Sequence, residues 1–69
     1  MDGEVTTWRL RGPADDMSCA IAKTPDGFAL AMRQGRELIL AESYGRLEGA
    51  VSRANQLRLR LRDRGWQEK

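Results

Sequence analysis

The hydrophobic period of this chain changes once, and that change constrains its architecture more than any other feature. Up to about residue 42, apolar side chains alternate with polar or small ones, the period-two signature of half-buried strands. From Arg46 onward, Leu47, Ala50, Ala54, Leu57 and Leu61 recur at spacings of three and four, and Val51 widens the stripe. That is one face of an amphipathic helix of about five turns. With 69 residues the chain makes one domain, so helix stripe and strand face must share a single core.

Turn signals divide the first half into four strands. Thr7-Trp8-Arg9-Leu10-Arg11 alternates within a strand over 6–11, which Gly12-Pro13 ends. A second strand over 17–24 carries Cys19 and Ile21 on one face and Ser18, Ala20 and Ala22 on the other. Thr24-Pro25-Asp26-Gly27 follows; proline presets one turn residue and glycine accepts a positive φ. A third strand over 28–33 sets Phe28, Leu30 and Met32 against Ala29, Ala31 and Arg33. After the Gln34-Gly35 turn, a fourth strand over 36–42 puts Leu38 and Leu40 on the core face and Glu37, Ile39 and Ala41 opposite.

The helix spans 46–64. Gly45 or Ser43 is the expected N-cap, and Glu48 sits near the positive end of the helix dipole. Gly65 fits the left-handed position after the helix, with Trp66 packing back on Leu61 in a Schellman motif. Short connections make the sheet an antiparallel meander in chain order. The expected fold is therefore α+β: four antiparallel strands, then one C-terminal helix on one face (β-β-β-β-α). Gly49 stands inside the helix, where glycine costs roughly 1 kcal/mol relative to alanine; close helix–sheet approach or a weak first turn would explain it.

The face away from the helix is unusual. It should show Ala20, Ala22, Ala29, Ala31, Ile39 and Ala41, rimmed by Arg9, Arg11, Arg33 and Glu37. An exposed antiparallel face is ordinarily polar. A floor of alanines lets a second copy pack closely, so the chain is expected to form a homodimer through its sheet, by this face or an exposed edge.

Catalytic chemistry has little to work with. The chain has no histidine and one cysteine, which removes Ser-His-Asp and Cys-His nucleophile activation, histidine-containing zinc sites and four-cysteine zinc sites. Cys19 alternates onto the core face, where a thiol acts as a small hydrophobe. Asp15-Asp16 lacks the further spaced oxygen ligands of a calcium loop, and Glu37 and Glu42 do not share a strand face. No glycine-rich phosphate loop occurs. The expectation is a non-enzymatic protein with no cofactor and no metal. No apolar run approaches the roughly 18 residues of a membrane span, and Met1-Asp2-Gly3-Glu4 is acidic and not a signal peptide. These features point to a cytoplasmic protein with no membrane partner.

Charge is unevenly placed. Residues 1–45 hold five basic and seven acidic side chains, a net −2; residues 46–64 hold six arginines against Glu48 and Asp63, a net +4. Ten of the twelve basic residues are arginine, suited to phosphate or carboxylate by its planar fork and equally favoured by GC-rich codons. On a helix Arg46, Arg53, Arg60 and Arg64 line one flank of the apolar stripe, and Arg58 and Arg62 the other. Arg46, Arg53, Arg60 and Arg64, with Arg9, Arg11 and Arg33 on the sheet rim, form the candidate contacts for nucleic acid or an acidic protein partner. Interleaved aromatics that would stack bases are missing, because Trp8 and Phe28 point to the core.

Four strands followed by a helix resembles the order in the positive transcriptional coactivators and the purine-rich-element binders. Those single-stranded-DNA-binding folds use the sheet as a platform and form dimers. The stretch from Asp26-Gly27-Phe28 through Glu42-Ser43-Tyr44 also resembles small bacterial domains of unknown function. The leading expectation is a self-associating interaction module; the alternative is a weak nucleic-acid binder using the arginine flank and sheet rim.

Overall fold

Alternation in the first half becomes a four-stranded meander. In the computed structural model, which describes residues 4–68, β1 is Glu4–Arg11, β2 Asp16–Thr24, β3 Gly27–Gln34 and β4 Glu37–Tyr44. The 3.6-residue stripe becomes α1, Leu47–Asp63. A two-residue strand, β5 (Gln67–Glu68), lies beyond the sequence-based scheme and completes the sheet in the order β4-β3-β2-β1-β5, all antiparallel neighbours. Two residues are too few to show a period.

The β2–β3 and β3–β4 hairpins follow their turn chemistry. Gly27 (φ 151°) takes a positive φ after Pro25-Asp26, and Gly35 (φ 60°) supplies the only positive φ of the Gly35-Arg36 loop, the pattern of a type II′ hairpin. The helix stops as its sequence foretells. Gly65 adopts φ 101°; its N–H donates to the Arg62 carbonyl (3.0 Å), and the Trp66 N–H donates to the Leu61 carbonyl (3.1 Å), the two bonds of a Schellman motif. The N-terminus differs from expectation. Arg46 is the N-cap, extended and with no side-chain bond to the first turn, because the sheet pairing of β4 runs through Ser43 and Tyr44 and holds both outside the helix.

α1 crosses the sheet diagonally. Its first turn lies over the end of β4, where the Tyr44 ring leaves only 3.1 Å for a Cβ on Gly49. Close approach therefore explains that mid-helix glycine. Its far end reaches the other edge, where the Trp66 indole fills the space beside Gly12 and β5 pairs with Leu10 and Arg11. Between these ends, Ala50, Ala54 and Leu57 meet Trp8, Leu10, Met17, Cys19, Ile21 and Leu30 in the core. Alanines at 50 and 54 let the Trp8 indole reach the helix backbone, and its Nε1–H donates to the Ala54 carbonyl at 2.8 Å.

Two bulges correct the strand faces. In β1 the register passes from Thr6↔Ala20 to Trp8↔Cys19, so Thr7 is an extra residue and Val5 joins Ile21 on the helix side. In β4 it passes from Arg33↔Leu38 to Met32↔Leu40, so Ile39 is extra. Leu38 therefore leaves the expected core face, joins Arg33 on the open side, and is 52% exposed. Glu37 shifts the other way, from the expected rim of the open face to the helix side with Gln34 and Met17. Glu37 and Glu42 thus do share a face, contrary to the alternation, but at opposite ends of β4, about 15 Å apart at ~3.3 Å per residue, too far for a carboxylate pair. In the helix stripe, Leu47 and Val51 remain 47% and 41% exposed, because the diagonal leaves a corner of the sheet uncovered.

Candidate functional site

The open face is built in cross-strand rows. Ala22 and Ala29 lie between Glu4 and Ser43; Ala20, Ala31 and Ala41 form the next row beside Thr6; Arg9, Ser18, Arg33 and Leu38 form a third. Ala20 is nearly covered by its strand neighbours and Ala41 stands exposed at the edge. Ile39, the bulge residue, is 42% exposed beside Leu38. Arg33 spans the alanine rows to bring its Nη1 within 3.6 Å of Glu4 Oε2, a solvent-exposed pair of small energetic weight.

The structure separates the arginines that the helical wheel places together. On the β4 side, Arg53 Nε and Nη2 donate to Glu42 Oε1 (3.0 Å) and Oε2 (3.3 Å), and Nη1 donates to Gln56 Oε1 (2.7 Å). Arg60 and Arg64 border a shallow cleft of about 180 Å³ with Met32, Leu57 and Leu61. On the other flank, Arg58 Nε lies 2.7 Å and Arg62 Nε 3.8 Å from Glu68 Oε2, the acidic residue that β5 brings there. Arg9, Arg46, Arg60 and Arg64 make no ion pair among the described residues, and Arg11 stands opposite Asp16. The four lie at three separate places on the surface.

Glu42, Tyr44 and Arg53 form the densest polar cluster. Tyr44 donates its hydroxyl proton to Glu42 Oε1 at 2.6 Å, the oxygen that also accepts from Arg53 Nε. The Tyr44 hydroxyl, reinforced by the Arg53 guanidinium, holds the Glu42 carboxyl below its ordinary range. The same bond to Glu42, with some burial, holds the Tyr44 phenol above its ordinary range. A depressed carboxyl pKa stabilises the fold above the unfolded carboxylate pKa and is lost as pH falls through the folded value. A raised phenol pKa stabilises below the unfolded phenol pKa and is lost as pH rises through the folded value. The cluster is thus fully effective between the two ranges. Tyr44 is the sole tyrosine, so tyrosinate absorbance on alkaline titration reports it directly. We expect an elevated midpoint in the native protein and a fall toward the ordinary phenol value in Glu42→Gln; identical midpoints would refute the bond.

Among the described residues the cluster joins one carboxylate, one phenol and one guanidinium, with both carboxylate oxygens accepting hydrogen bonds. Cys19 is wholly buried, burial pushes its thiol pKa up, and its carbonyl accepts from Thr7 Oγ1 at 3.1 Å. Among the described residues no group of three acidic or cysteine side chains is arranged to hold a metal ion. Asp15 and Asp16 border a polar cleft with Arg9 and Ser18. No helix among the described residues is long and apolar enough to cross a membrane.

Sequence reasoning missed one surface. The corner of the sheet left bare by the diagonal helix forms an apolar cleft of about 350 Å³, lined by Val5, Ile21, Phe28, Leu47 and Val51, with Thr7 and Lys23 at its margin. Val5 lies outside the strand as bounded from sequence, and Leu47 and Val51 sit on the stripe assigned to the core. No protein-family model, curated protein or solved structure matches this chain.

Proposed function

We propose that the chain is a small non-enzymatic interaction module that self-associates through the open face of its sheet. The observation that carries this reading is the pair of alanine rows, Ala22–Ala29 and Ala20–Ala31–Ala41, lying across adjacent strands with exposed Leu38 and Ile39 beside them. Alanine side chains keep the face flat, so a second sheet can approach it without burying long polar groups. Its central residues need no rearrangement except the swing of Arg33, held only by an exposed ion pair. Four strands spaced ~4.8 Å over about 20 Å of length offer roughly 400 Å² per partner. An interface of that size belongs with weak, transient pairs. A lone unpaired thiol suits a reducing compartment such as the cytoplasm.

The test is mass against concentration. Light scattering and sedimentation at high protein concentration should report self-association. Ala29→Glu or Ala31→Glu should abolish contact through the face while leaving the circular dichroism spectrum and thermal midpoint close to wild type. A wild-type chain that stays monomeric up to millimolar concentration would overturn the reading.

A further inference from the structure

β1 is paired on its outer side at only two positions. β5 covers Leu10 and Arg11, and residues 4–9 have no strand alongside them on that edge among the described residues. Native edge strands are commonly blunted by lysine, proline or a covering loop. This stretch, Glu4-Val5-Thr6-Thr7-Trp8-Arg9, has no lysine and no proline. Val5 is the most exposed large apolar side chain described, at 67%, and it stands at the apolar corner cleft.

We propose that this edge pairs antiparallel with the same edge of a second copy. The register sets Glu4 against Arg9 of the second copy, Val5 against Trp8 of the second copy, and Thr6 against Thr6 of the second copy, with Thr7 the extra residue in each strand. It requires the β1 bulge. Residues facing each other across an antiparallel pair point to the same side of the sheet. In an unbroken strand, residues 4 and 9 point to opposite sides, as do 5 and 8. The extra residue at Thr7 reverses that parity. Glu4 and Arg9 both lie on the open side, opposite Ala22 and Ser18, and Val5 and Trp8 both lie on the helix side, opposite Ile21 and Cys19. Counted past the bulge, the free stretch is symmetric about Thr6, so a two-fold axis beside Thr6 carries each strand onto the other with Thr7 extra in both.

Charge and apolar matching agree in this one register. Each Glu4 meets an arginine that makes no ion pair among the described residues, and its present contact with Arg33 is loose at 3.6 Å. Opposite charges placed directly across a pair favour it, and like charges oppose it. With the axis perpendicular to the sheet, both helices lie on the same side and the two clefts containing Val5, Leu47 and Val51 adjoin. This contact runs along the β1 edge, with Glu4 and Arg9 at the margin of the open face, whereas the face contact uses the alanine rows.

The experiment is a charge exchange read by sedimentation. Arg9→Glu places two glutamates opposite each other at both ends of the pairing, and Glu4→Arg places two arginines there. Each variant should sediment at half the wild-type mass, with an unchanged circular dichroism spectrum. Equimolar mixing should restore the lost mass, since each end of the mixed pair then joins an arginine to a glutamate. If both variants keep the wild-type mass, or if mixing restores nothing, the edge contact is overturned. Ala31→Glu separates the two surfaces. If it lowers the mass and Arg9→Glu does not, the edge falls and the open face stands; the reverse result leaves the edge and sinks the face.

Discussion

Trp8→Ala should leave this chain without a cooperative unfolding transition at 25 °C. Trp8 is 6% exposed, sits in the core among sheet and helix residues, and bonds the carbonyl of Ala54, 46 positions away. Truncating a buried tryptophan costs about 3–5 kcal/mol in lost transfer energy and residual cavity. A domain below about 70 residues rarely has more than 3–5 kcal/mol in its core, so this one substitution removes most or all of the margin. Trp8→Phe keeps much of the volume and loses the indole donor, worth about 1 kcal/mol. It should still fold, with a lower urea midpoint. Chemical denaturation followed by far-ultraviolet circular dichroism separates the cases. A Trp8→Ala chain that unfolds at the wild-type midpoint would show that helix and sheet do not depend on each other through this side chain.

Gly27→Ala should be strongly destabilising for the addition of a single methyl group. Gly27 holds φ 151°, and a Cβ there would run into the carbonyl oxygen of Tyr44 on the neighbouring strand. Either β3 and β4 part at that end or the turn rearranges, a loss of at least about 2 kcal/mol. Gly35 is the natural control. A Cβ there meets only ordinary contact with Asp15, but the type II′ position still asks for glycine, so Gly35→Ala should destabilise through backbone strain alone, and by less than Gly27→Ala. Equal thermal midpoints for Gly27→Ala and wild type would refute the assigned crowding.

Features of this fold set by neighbouring residues were legible in the sequence. The change of period near Arg46, the Pro25-Asp26-Gly27 turn and the Gly65-Trp66 stop all appear in the structure where the pattern puts them, because each depends on backbone preferences within a few residues. The two bulges were not legible. One extra residue at Thr7 or Ile39 leaves composition and apolar content unchanged, yet it exchanges the faces of every residue beyond it, which is why Leu38 and Glu37 changed places. The polar cluster was not legible. The strand read from the sequence ends at 42 and leaves Tyr44 outside it. β4 in fact runs on through Tyr44 and so puts it on the same face as Glu42, and Arg53 joins them only once the helix has a direction across the sheet. That direction also decides which arginines remain unpaired, and no helical wheel contains it.

The short pairing of β5 with β1 sets an order of assembly. Each hairpin of the meander joins residues close in the chain, so its ends meet cheaply and early. Leu10 and Glu68, by contrast, are 58 positions apart, and the entropy of closing a loop grows with its length. Contacts of such separation slow folding, and two residues of ladder offer little return until the Trp66 indole has a formed Gly12 turn to rest on. The C-terminal strand is therefore the latch that closes last, on an already assembled helix and sheet.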